Sequence, residues 1–167
     1  MDPRELRTVA AQIRLLVLDV DGVLTDGRLY YDADGRETKS FHVRDGYGIQ
    51  QVLAAGLLVA VISGRRSTAA AARLAELQVP HVFLGRNDKR QVLEQLLAEL
   101  GIPAASVACV GDDVTDLEIM VPAGLGITVA NAHPDVLRAA DWVTVAAGGR
   151  GAVREVCDLL LAARQAA

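Results

Sequence analysis

The sequence predicts an α/β fold in which a parallel β-sheet lies between two layers of helices. Short apolar runs rich in Val, Ile and Leu alternate along the chain with segments of helical pattern, which is typical of a doubly wound parallel sheet. Several of these runs end in acidic or polar residues, and open sheets of this class bind ligands beyond the carboxyl ends of their strands. At 167 residues the chain suits one domain with a substantial core, so we expect residues 1–167 to form a single domain.

Composition and charge exclude several classes of protein. The formal net charge of −4 argues against a nucleic-acid partner, because nucleic-acid-binding proteins usually present a basic face. No apolar run reaches the ~18 residues that would span a membrane, and Met1 to Leu6 lack the apolar core of a signal peptide. Cys109 and Cys157 lie in apolar segments without a CxxC partner, which favours buried reduced thiols. We therefore expect a cytoplasmic protein without membrane or nucleic-acid partners.

The first predicted strand leads into a pair of acids. Residues 1–12 are expected to form a short N-terminal helix or arm, and the apolar run from Ile13 to Leu18 is expected to form a buried strand. Asp19 and Asp21 follow that strand directly. Two acids one residue apart at a buried strand end repel each other unless a positive charge lies between them. Because hard divalent cations prefer oxygen ligands, the pair predicts a divalent metal site.

A β-hairpin is predicted next, over residues 27–43. Two β-prone stretches, 28–31 and 37–43, flank the turn sequence Asp-Ala-Asp-Gly. The exposed side chains of this hairpin are expected to include Leu29, Tyr30 and Phe41. Because an isolated two-stranded hairpin is marginally stable in water, we expect it to pack against another subunit.

The segments after the hairpin continue the alternation of helices and strands. Asp45 is predicted to cap a helix that ends near Gly56, and the strand at 57–62 leads into Ser63 and Arg65. The remaining predicted elements are a helix at 67–77, a strand at 80–84, a helix from Asn87 or Asp88 to Gly101, a strand at 106–110, a short helix reaching Val121, a strand at 124–129, a helix at 135–140, a strand at 142–145, a basic hinge at 148–151 and a helix at 152–164. The C-terminal hinge and helix together occupy 148–167.

Two further charged features point to the same sheet edge. Lys89 lies in the first turn of a predicted helix, where its charge opposes the helix dipole unless an anion lies nearby. The strand at 106–110 leads into a second acidic cluster, Gly-Asp-Asp-Val-Thr-Asp at 111–116. The groups predicted to meet at this edge are Asp19, Asp21, Ser63, Lys89, Asp112 and Asp113.

The order of these groups resembles the haloacid-dehalogenase-like phosphatase superfamily, in which a DxD motif precedes Ser or Thr, then Lys, then an acidic cluster. Longer stretches are similar to the 3-deoxy-D-manno-octulosonate 8-phosphate (KDO 8-phosphate) phosphatase family, from Ile13 to about Leu161. These stretches are DVDGVLTDG at 19–27, FHVRDGYGI at 41–49, SGR at 63–65, GDD at 111–113, AHP at 132–134 and GGRGAVREVC at 148–157. The resemblance implies a three-layer Rossmannoid fold, a phosphatase activity and a role in lipopolysaccharide precursor synthesis.

The resemblance also implies catalytic roles. Asp19 is the expected nucleophile, which becomes an aspartyl-phosphate, and Asp21 is the expected general acid and base. Ser63 and Lys89 are expected to bind the oxygens of the transferring phosphoryl group.

The implied cofactor is Mg²⁺. Its expected ligands are the carboxylates of Asp19 and Asp112 and the main-chain carbonyl of Asp21. Asp113 and Asp116 are expected to orient these ligands, or alternatively to cap the helix that follows them.

The implied substrate is an anionic sugar acid, whose carboxylate suits an arginine fork. Arg65 follows Ser63 closely, and Arg73 lies two turns further on the same helix face if the helix is continuous. Gln50 departs from the resemblance, because a basic residue is expected there. The complete set of expected substrate-binding residues is Asp21, His42, Val43, Arg44, Asp45, Gly46, Arg65, Arg73, Lys89 and Arg150.

No cap domain is expected over this site. The intervals between Asp26 and Leu57 and between Ser63 and Lys89 leave room only for the hairpin and single helices or strands. An uncapped site is open to water, which weakens its electrostatic interactions with a phosphoryl group. The exposed hairpin and the basic hinge favour an assembly in which hairpins pack together and Arg150 reaches an adjacent site, and the resemblance implies that this assembly is a homotetramer. A loop cation beside a helix N-terminus is the alternative for Arg150.

Three alternative functions are compatible with parts of this pattern. A phosphatase of a nine-carbon sugar-acid phosphate shares most motifs, although the residue after Ser63 and Gly64 is expected to be acidic in that family, and here it is Arg65. A phospho-receiver domain also combines acids, Mg²⁺, a hydroxyl and a lysine, but its acidic pair lies apart from the phosphorylated Asp. A catalytically inactive relative serving as a binding module is the third alternative, although every motif residue is present.

Overall fold

The computed structural model describes residues 1–165 of the chain. Its helices and strands, in chain order, are α1 Pro3–Ala10, β1 Leu15–Leu18, β2 Tyr30–Tyr31, β3 Glu37–Thr38, α2 Val43–Ala54, β4 Leu58–Ser63, α3 Thr68–Glu76, β5 His81–Leu84, α4 Lys89–Leu100, β6 Val107–Gly111, α5 Leu117–Met120, β7 Leu125–Thr128, α6 Pro134–Ala139, β8 Trp142–Val143 and α7 Ala152–Gln165. The predicted C-terminal segment 148–167 therefore includes two residues, 166 and 167, that lie outside the described part.

The strands β5-β4-β1-β6-β7-β8, in this order, form one six-stranded sheet, and every neighbouring pair in it is parallel. The chain winds from β1 outward through β4 to β5, then crosses to β6 and continues to β8. Right-handed crossovers consequently place helices on both faces. Helices α1, α2 and α7 pack together on one face, and α4 packs against α5 on the other. The predicted three-layer fold is confirmed, and residues 1–165 contain no cap domain.

The central strands are almost completely buried, which explains their sequences. All residues of β1 and β6 are buried, as are Val59 to Ser63 in β4. A strand covered by helices on both faces reads as a continuous apolar run, because neither face meets water. Cys109 in β6 and Cys157 in α7 are buried free thiols, as predicted.

The start of helix α2 differs from the prediction. Asp45 does not cap this helix, because its first residue is Val43 and the cap is His42, whose side chain accepts a hydrogen bond from the Arg44 N–H. The Asp45 carboxylate instead accepts hydrogen bonds from the N–H groups of Gly151, at 3.3 Å, and Arg154, at 2.8 Å. It therefore caps the start of α7, across the fold from its own helix.

The hairpin is present but shorter than predicted. Only Tyr30 pairs with Thr38 and Tyr31 with Glu37, so the strands β2 and β3 are two residues long. Leu29 and Tyr30 are exposed, as predicted. The prediction for Phe41 is wrong, because this side chain packs against the core where the chain enters α2. Within residues 1–165, none of the helices combines the length and apolar character that crossing a membrane requires.

Candidate active site

The register of the sheet brings the predicted groups to one edge. Leu18 at the end of β1 lies beside Val61 of β4 and Val110 of β6. Asp19 therefore leaves the sheet between Ser63, the last residue of β4, and Asp112, which follows β6. The Asp19 N–H still donates to the Val110 carbonyl, at 3.1 Å, so the backbone of the acid is held by the sheet.

Lys89 lies between two buried carboxylates. Its Nζ is 3.1 Å from Asp19 Oδ1 and 2.6 Å from Asp116 Oδ1, and all three residues are buried. Burial works to lower the pKa of Lys89, but the two carboxylates outweigh it and raise that pKa. The unusual position of Lys89 in its helix predicts a nearby anion. In the structure this anion is a carboxylate of the protein itself. We call Asp19, Lys89, Asp112 and Asp116 the floor of the site.

Asp116 organises the loop after β6. Its Oδ2 accepts hydrogen bonds from the N–H groups of Asp112, at 3.0 Å, and Asp113, at 3.2 Å. Asp113 is exposed, and its own carboxylate accepts the Val114 N–H at 2.7 Å. Asp113 thus acts as a helix cap. Asp116 combines two tasks, since it fixes the backbone of Asp112 and binds Lys89.

The floor can hold a divalent cation. One carboxylate oxygen from each of Asp19, Asp112 and Asp116 lies within 4.8 Å of the others. Burial raises the pKa of Asp112 to about 7, with further contributions from the carboxylates of Asp19 and Asp116. Burial also raises the pKa of Asp19 to about 6, although Lys89 acts in the opposite direction. The floor is therefore short of positive charge. Because Asp116 is occupied by Lys89 and two N–H groups, Asp19 and Asp112 are the carboxylates left for a metal.

Glycines allow the loop after Asp19 to approach its neighbours. Gly22 has φ of +90°, and a Cβ there would lie 1.9 Å from Asp112 Oδ2. On the other side of the loop, a Cβ on Gly148 would lie 1.6 Å from the Gly22 carbonyl oxygen. The Gly149 N–H donates to the Val23 carbonyl at 2.9 Å. The hinge before α7 is thus packed directly onto the loop that carries the predicted catalytic acids.

The side of the site is formed by the hairpin and by the loop after β4. Lys39, just after β3, binds the Asp21 carboxylate and lies 2.6 Å from Glu37 Oε1. Arg65 lies 3.2 Å from Glu37 Oε2 and 3.6 Å from Asp21 Oδ2. Burial works to lower the pKa of Lys39, yet Asp21 and Glu37 outweigh it and raise that pKa. We call Glu37, Lys39 and Arg65 the wall of the site.

A cleft of about 440 Å³ lies over the floor. It brings together all four predicted catalytic residues, Asp19, Asp21, Ser63 and Lys89, with the predicted metal ligand Asp112 and with Arg65. Asp113, which was also predicted at this edge, lines the cleft, and the lining residues absent from the predicted site are Gly27, Gly64, Asn87 and Thr115. A volume of this size is sufficient for a small organic ligand.

Most of the predicted substrate-binding residues lie elsewhere in this chain. His42, Asp45, Gly46 and Arg73 surround a separate crevice of about 10 Å³, which is too small for a sugar. Arg73 lies against Gly46 and pairs with Glu76 at 2.9 Å. The expectation that residues 65 and 73 share one helix face is wrong, because Ser67 caps α3 in an extended conformation and leaves Arg65 in the preceding loop.

The other predicted substrate-binding residues are exposed. Val43 and Arg44 are exposed on α2. Gln50, where the resemblance implies a basic residue, is also exposed on this helix. Arg150 is exposed in the hinge, where its Nη2 lies 3.8 Å from Asp26 Oδ2. None of these side chains lines the cleft of its own chain.

Lys39 is the charged residue that the sequence reasoning missed. It lies eighteen positions after Asp21 and belongs to none of the quoted motifs, and it occurs in a hairpin whose other charges are mostly exposed. Its side chain is nevertheless only 1% exposed. The alternation of side chains in a β-strand was the one available signal, because it places Lys39 and Glu37 on the same face.

Comparisons with known proteins agree with this geometry. A model of the haloacid dehalogenase-like hydrolase family matches residues 82–155 of the chain. The chain is 50% identical to the 3-deoxy-D-manno-octulosonate 8-phosphate phosphatase of Salmonella typhi over 157 residues, which cover 94% of this chain and 84% of that protein. It is 47% identical to the phosphatase of the same name from Yersinia pestis over 155 residues, which cover 93% and 83%.

Solved structures show the same likeness. The phosphatase of that name from Moraxella catarrhalis, crystallised with magnesium, phosphate and KDO, matches with a TM-score of 0.96 at 40% identity and covers 98% of this chain and 94% of its own. The cobalt-bound enzyme from Haemophilus influenzae matches with a TM-score of 0.90 at 42% identity and covers 94% and 92%. With half of its residues identical to a relative over nearly its whole length, and with the acids, serine and lysine at one sheet edge, the chain belongs to the 3-deoxy-D-manno-octulosonate 8-phosphate phosphatase family of haloacid dehalogenase-like hydrolases.

Proposed function

We propose that the protein is a Mg²⁺-dependent phosphatase that hydrolyses 3-deoxy-D-manno-octulosonate 8-phosphate to the free sugar acid and phosphate. The observation that carries this proposal is the convergence of Asp19, Lys89 and Asp112 beneath a cleft that also contains Ser63 and Arg65. The substrate in this proposal is inferred from the name of the family to which the chain belongs. Membership of a hydrolase family also removes the receiver-domain alternative, whereas an inactive relative is tested by the assays below.

The proposed reaction has two steps on Asp19. Its carboxylate oxygen attacks phosphorus, the bond to the sugar oxygen breaks, and Asp21 gives that oxygen a proton. Water then attacks the aspartyl-phosphate, gives its proton to Asp21 and releases phosphate. Lys89 lies 3.1 Å from Asp19 Oδ1, so it orients the nucleophile and offers positive charge where the phosphoryl oxygens gather. Ser63 offers a hydroxyl at the same edge.

Mg²⁺ fits the donor set of the floor. Asp19 and Asp112, with the main-chain carbonyl of Asp21, would supply the oxygen ligands that this ion prefers. When bound, the ion neutralises the charge of the phosphate group and of the carboxylates. The raised pKa values of Asp19 and Asp112 support this assignment, because both acids lie in a site that lacks compensating positive charge.

Arg65 is the proposed contact for the sugar-acid part of the substrate. Its side chain is 43% exposed at the cleft, so the guanidinium can meet a ligand from solution. A carboxylate on the sugar acid matches the planar fork of arginine. In this proposal the exposed residues Val43, Arg44 and Arg150 act only when a second subunit lies nearby.

The proposal also includes a homotetramer in the cytoplasm, a role in lipopolysaccharide precursor synthesis, and a single phosphatase domain over residues 1–167. Exposed apolar side chains on the hairpin and at the start of α2 support assembly, namely Leu29, Tyr30, Tyr31, Val43 and Tyr47. Sedimentation of the wild type and of Tyr30→Ser tests this, with Val145→Ser, which changes a 91% exposed side chain elsewhere, as the matched control. A stable, fully active wild-type monomer contradicts the tetramer.

The experiment that tests the function is phosphate release from a panel of sugar phosphates with and without Mg²⁺. We expect kcat/KM to be highest for KDO 8-phosphate and turnover to stop when the metal is removed with a chelator. A preference for a nine-carbon sugar-acid phosphate supports the alternative substrate class. Absence of turnover on every ester supports an inactive relative.

A further inference from the structure

Four charged side chains form a closed ring between the hairpin and the cleft. The ring runs from Asp21 Oδ1 to Lys39 Nζ, then to Glu37 Oε1 at 2.6 Å. From Glu37 Oε2 it continues to Arg65 Nη2 at 3.2 Å and returns from Arg65 Nε to Asp21 Oδ2 at 3.6 Å. Positive and negative groups alternate, so the ring as a whole is neutral.

Lys39 is the buried member of this ring. Its side chain is 1% exposed, compared with 17% for Glu37, 18% for Asp21 and 43% for Arg65. A buried ammonium is costly unless carboxylates compensate it, and Lys39 has two of them. An apolar residue in its place would leave the Asp21 and Glu37 carboxylates without the cation that separates them. The lysine therefore has a specific electrostatic task at this position.

The two oxygens of Asp21 are in different situations. Oδ1 is taken by the Lys39 ammonium, whereas Oδ2 lies 3.6 Å from Arg65, which is too far for a hydrogen bond. Lys39 consequently fixes the rotation of the carboxylate and leaves one oxygen available to a molecule in the cleft, which Asp21 lines. Proton transfer requires such an oxygen within hydrogen-bond reach of the reacting group.

We propose that Lys39 is a positioning residue for the reaction: it acts through Asp21 by holding Oδ1, so that Oδ2, which carries the proton in the reactive form of Asp21, faces the leaving sugar oxygen. This inference rests on the proposed function, since it assumes that Asp21 transfers that proton. It adds a residue of the hairpin to the machinery of the site and explains why the short hairpin carries a buried charge. Lys39 is not expected to touch the substrate.

The test compares two esters whose leaving groups differ in their need for a proton. The alkoxide of a sugar needs protonation as it leaves, whereas 4-nitrophenolate does not, and general acid catalysis contributes about 10²–10⁴-fold where it is needed. Lys39→Met should therefore lower kcat/KM for KDO 8-phosphate about 10–100-fold more than it lowers kcat/KM for 4-nitrophenyl phosphate. The ratio of the two values is the readout, because general loosening of the site lowers both together.

Arg36→Met is the matched control. Arg36 is a hairpin cation as well, but its side chain is 77% exposed and lies near Asp32 and Asp34, away from Asp21. The ratio should stay at the wild-type value in this variant. In an Asp21→Asn background, Lys39→Met should have no further effect on either ester, because residues that act through one another are not additive.

Several outcomes overturn the proposal. These are an equal loss on both esters, an unchanged ratio in Lys39→Met, or a full additional loss in the Asp21→Asn background. If Lys39→Met does not fold, Lys39→Gln removes the charge while keeping a polar side chain, and an unchanged ratio there also overturns the proposal. Failure of the proposed function is distinct, since the wild type itself would then not turn over KDO 8-phosphate efficiently.

Discussion

The floor and the wall of the cleft hold their charges in different ways. In the floor, Asp19 and Lys89 lie at the ends of a buried strand and a helix, and both residues are less than 10% exposed. In the wall, Arg65 comes from a loop and is 43% exposed, while its partner Glu37 lies on a two-residue strand. The floor is therefore rigid and electrostatically strong, whereas Arg65, the exposed member of the wall, is adjustable. We expect the floor to carry the chemistry common to all phosphate esters, and Arg65 to discriminate between esters.

The largest effect is expected from Asp19→Asn. The amide cannot attack phosphorus, so kcat should fall by about 10⁴-fold or more, in the range seen when other enzymes lose a nucleophile. The measurement is phosphate release from KDO 8-phosphate at saturating Mg²⁺. Asp113→Asn makes the same chemical change at an exposed helix cap and should retain activity within a few-fold of the wild type. Turnover that survives Asp19→Asn refutes the nucleophile assignment.

The second largest effect is expected from Lys89→Met, which should reduce both catalysis and stability. Removing this cation leaves Asp19 and Asp116 buried without their partner, which typically destabilises a protein by about 3–5 kcal/mol. Urea unfolding in the absence of metal measures the loss. The neighbouring change Arg90→Met removes an exposed pair with Glu94 and should leave the urea midpoint unchanged. Equal midpoints for the two variants would show that the floor does not depend on Lys89.

A smaller effect is expected from pH on the metal-free protein. The folded-state pKa values of Asp19, about 6, and Asp112, about 7, lie above the ordinary value near 4. Groups with raised pKa values stabilise the fold below pH ~4, and this contribution is lost as pH rises through ~6 and ~7. The Tm of the chelated protein should therefore fall between pH 5 and 8. Mg²⁺ should restore it and release protons on binding.

Asp112→Asn isolates this effect from the other titrating groups. The amide does not titrate, so only one of the two acids with a raised pKa remains. The Tm of the chelated variant should therefore depend less on pH than that of the wild type. Asp113→Asn serves again as the control and should follow the wild type. A wild-type Tm that rises between pH 5 and 8 without metal contradicts the assigned pKa directions.

The smallest effect is expected at Arg65, the exposed member of the wall. Arg65→Ala should raise KM for KDO 8-phosphate about tenfold, as expected for loss of one charged contact of 1–2 kcal/mol, and change KM for 4-nitrophenyl phosphate much less. Arg66→Ala, at the next position, removes an exposed cation that does not line the cleft and is the control. A parallel rise in KM for both esters would place Arg65 at the phosphate instead of the sugar acid.

The sequence was sufficient to predict the sheet and the floor. Buried parallel strands are continuous apolar runs and their carboxyl ends meet at one edge, so the sequence alone predicts that Asp19, Ser63 and Asp112 lie together. Lys89 is recognisable from the sequence because a lysine in the first turn of a helix opposes the helix dipole. This conflict involves only residues that are neighbours in sequence. These features depend on residues close to one another in sequence or on a strict geometric rule.

The wall and the helix caps were harder to predict because they depend on contacts between distant segments. Asp45 carries the local signature of a helix cap, but the helix it caps is α7, more than one hundred positions away. For Lys39 the only local signal is that strand alternation places it on the same face as Glu37, and only the folded position of the hairpin shows that it is buried beside Asp21. Local patterns do not specify which of several polar residues in a loop a remote element will contact.

The packing of the hinge onto the loop after Asp19 has a consequence for biosynthesis. Gly148 and Gly149 contact Gly22 and Val23, and Asp45 caps α7, so the first and last parts of the site interlock. During translation the loop with the proposed catalytic acids leaves the ribosome long before its partners at 148–154. A nascent chain can pair β1, β4 and β6 early, but its loop acquires the final form only after the hinge is made. Hydrolytic activity should therefore appear late in synthesis, after most of the sheet is already folded.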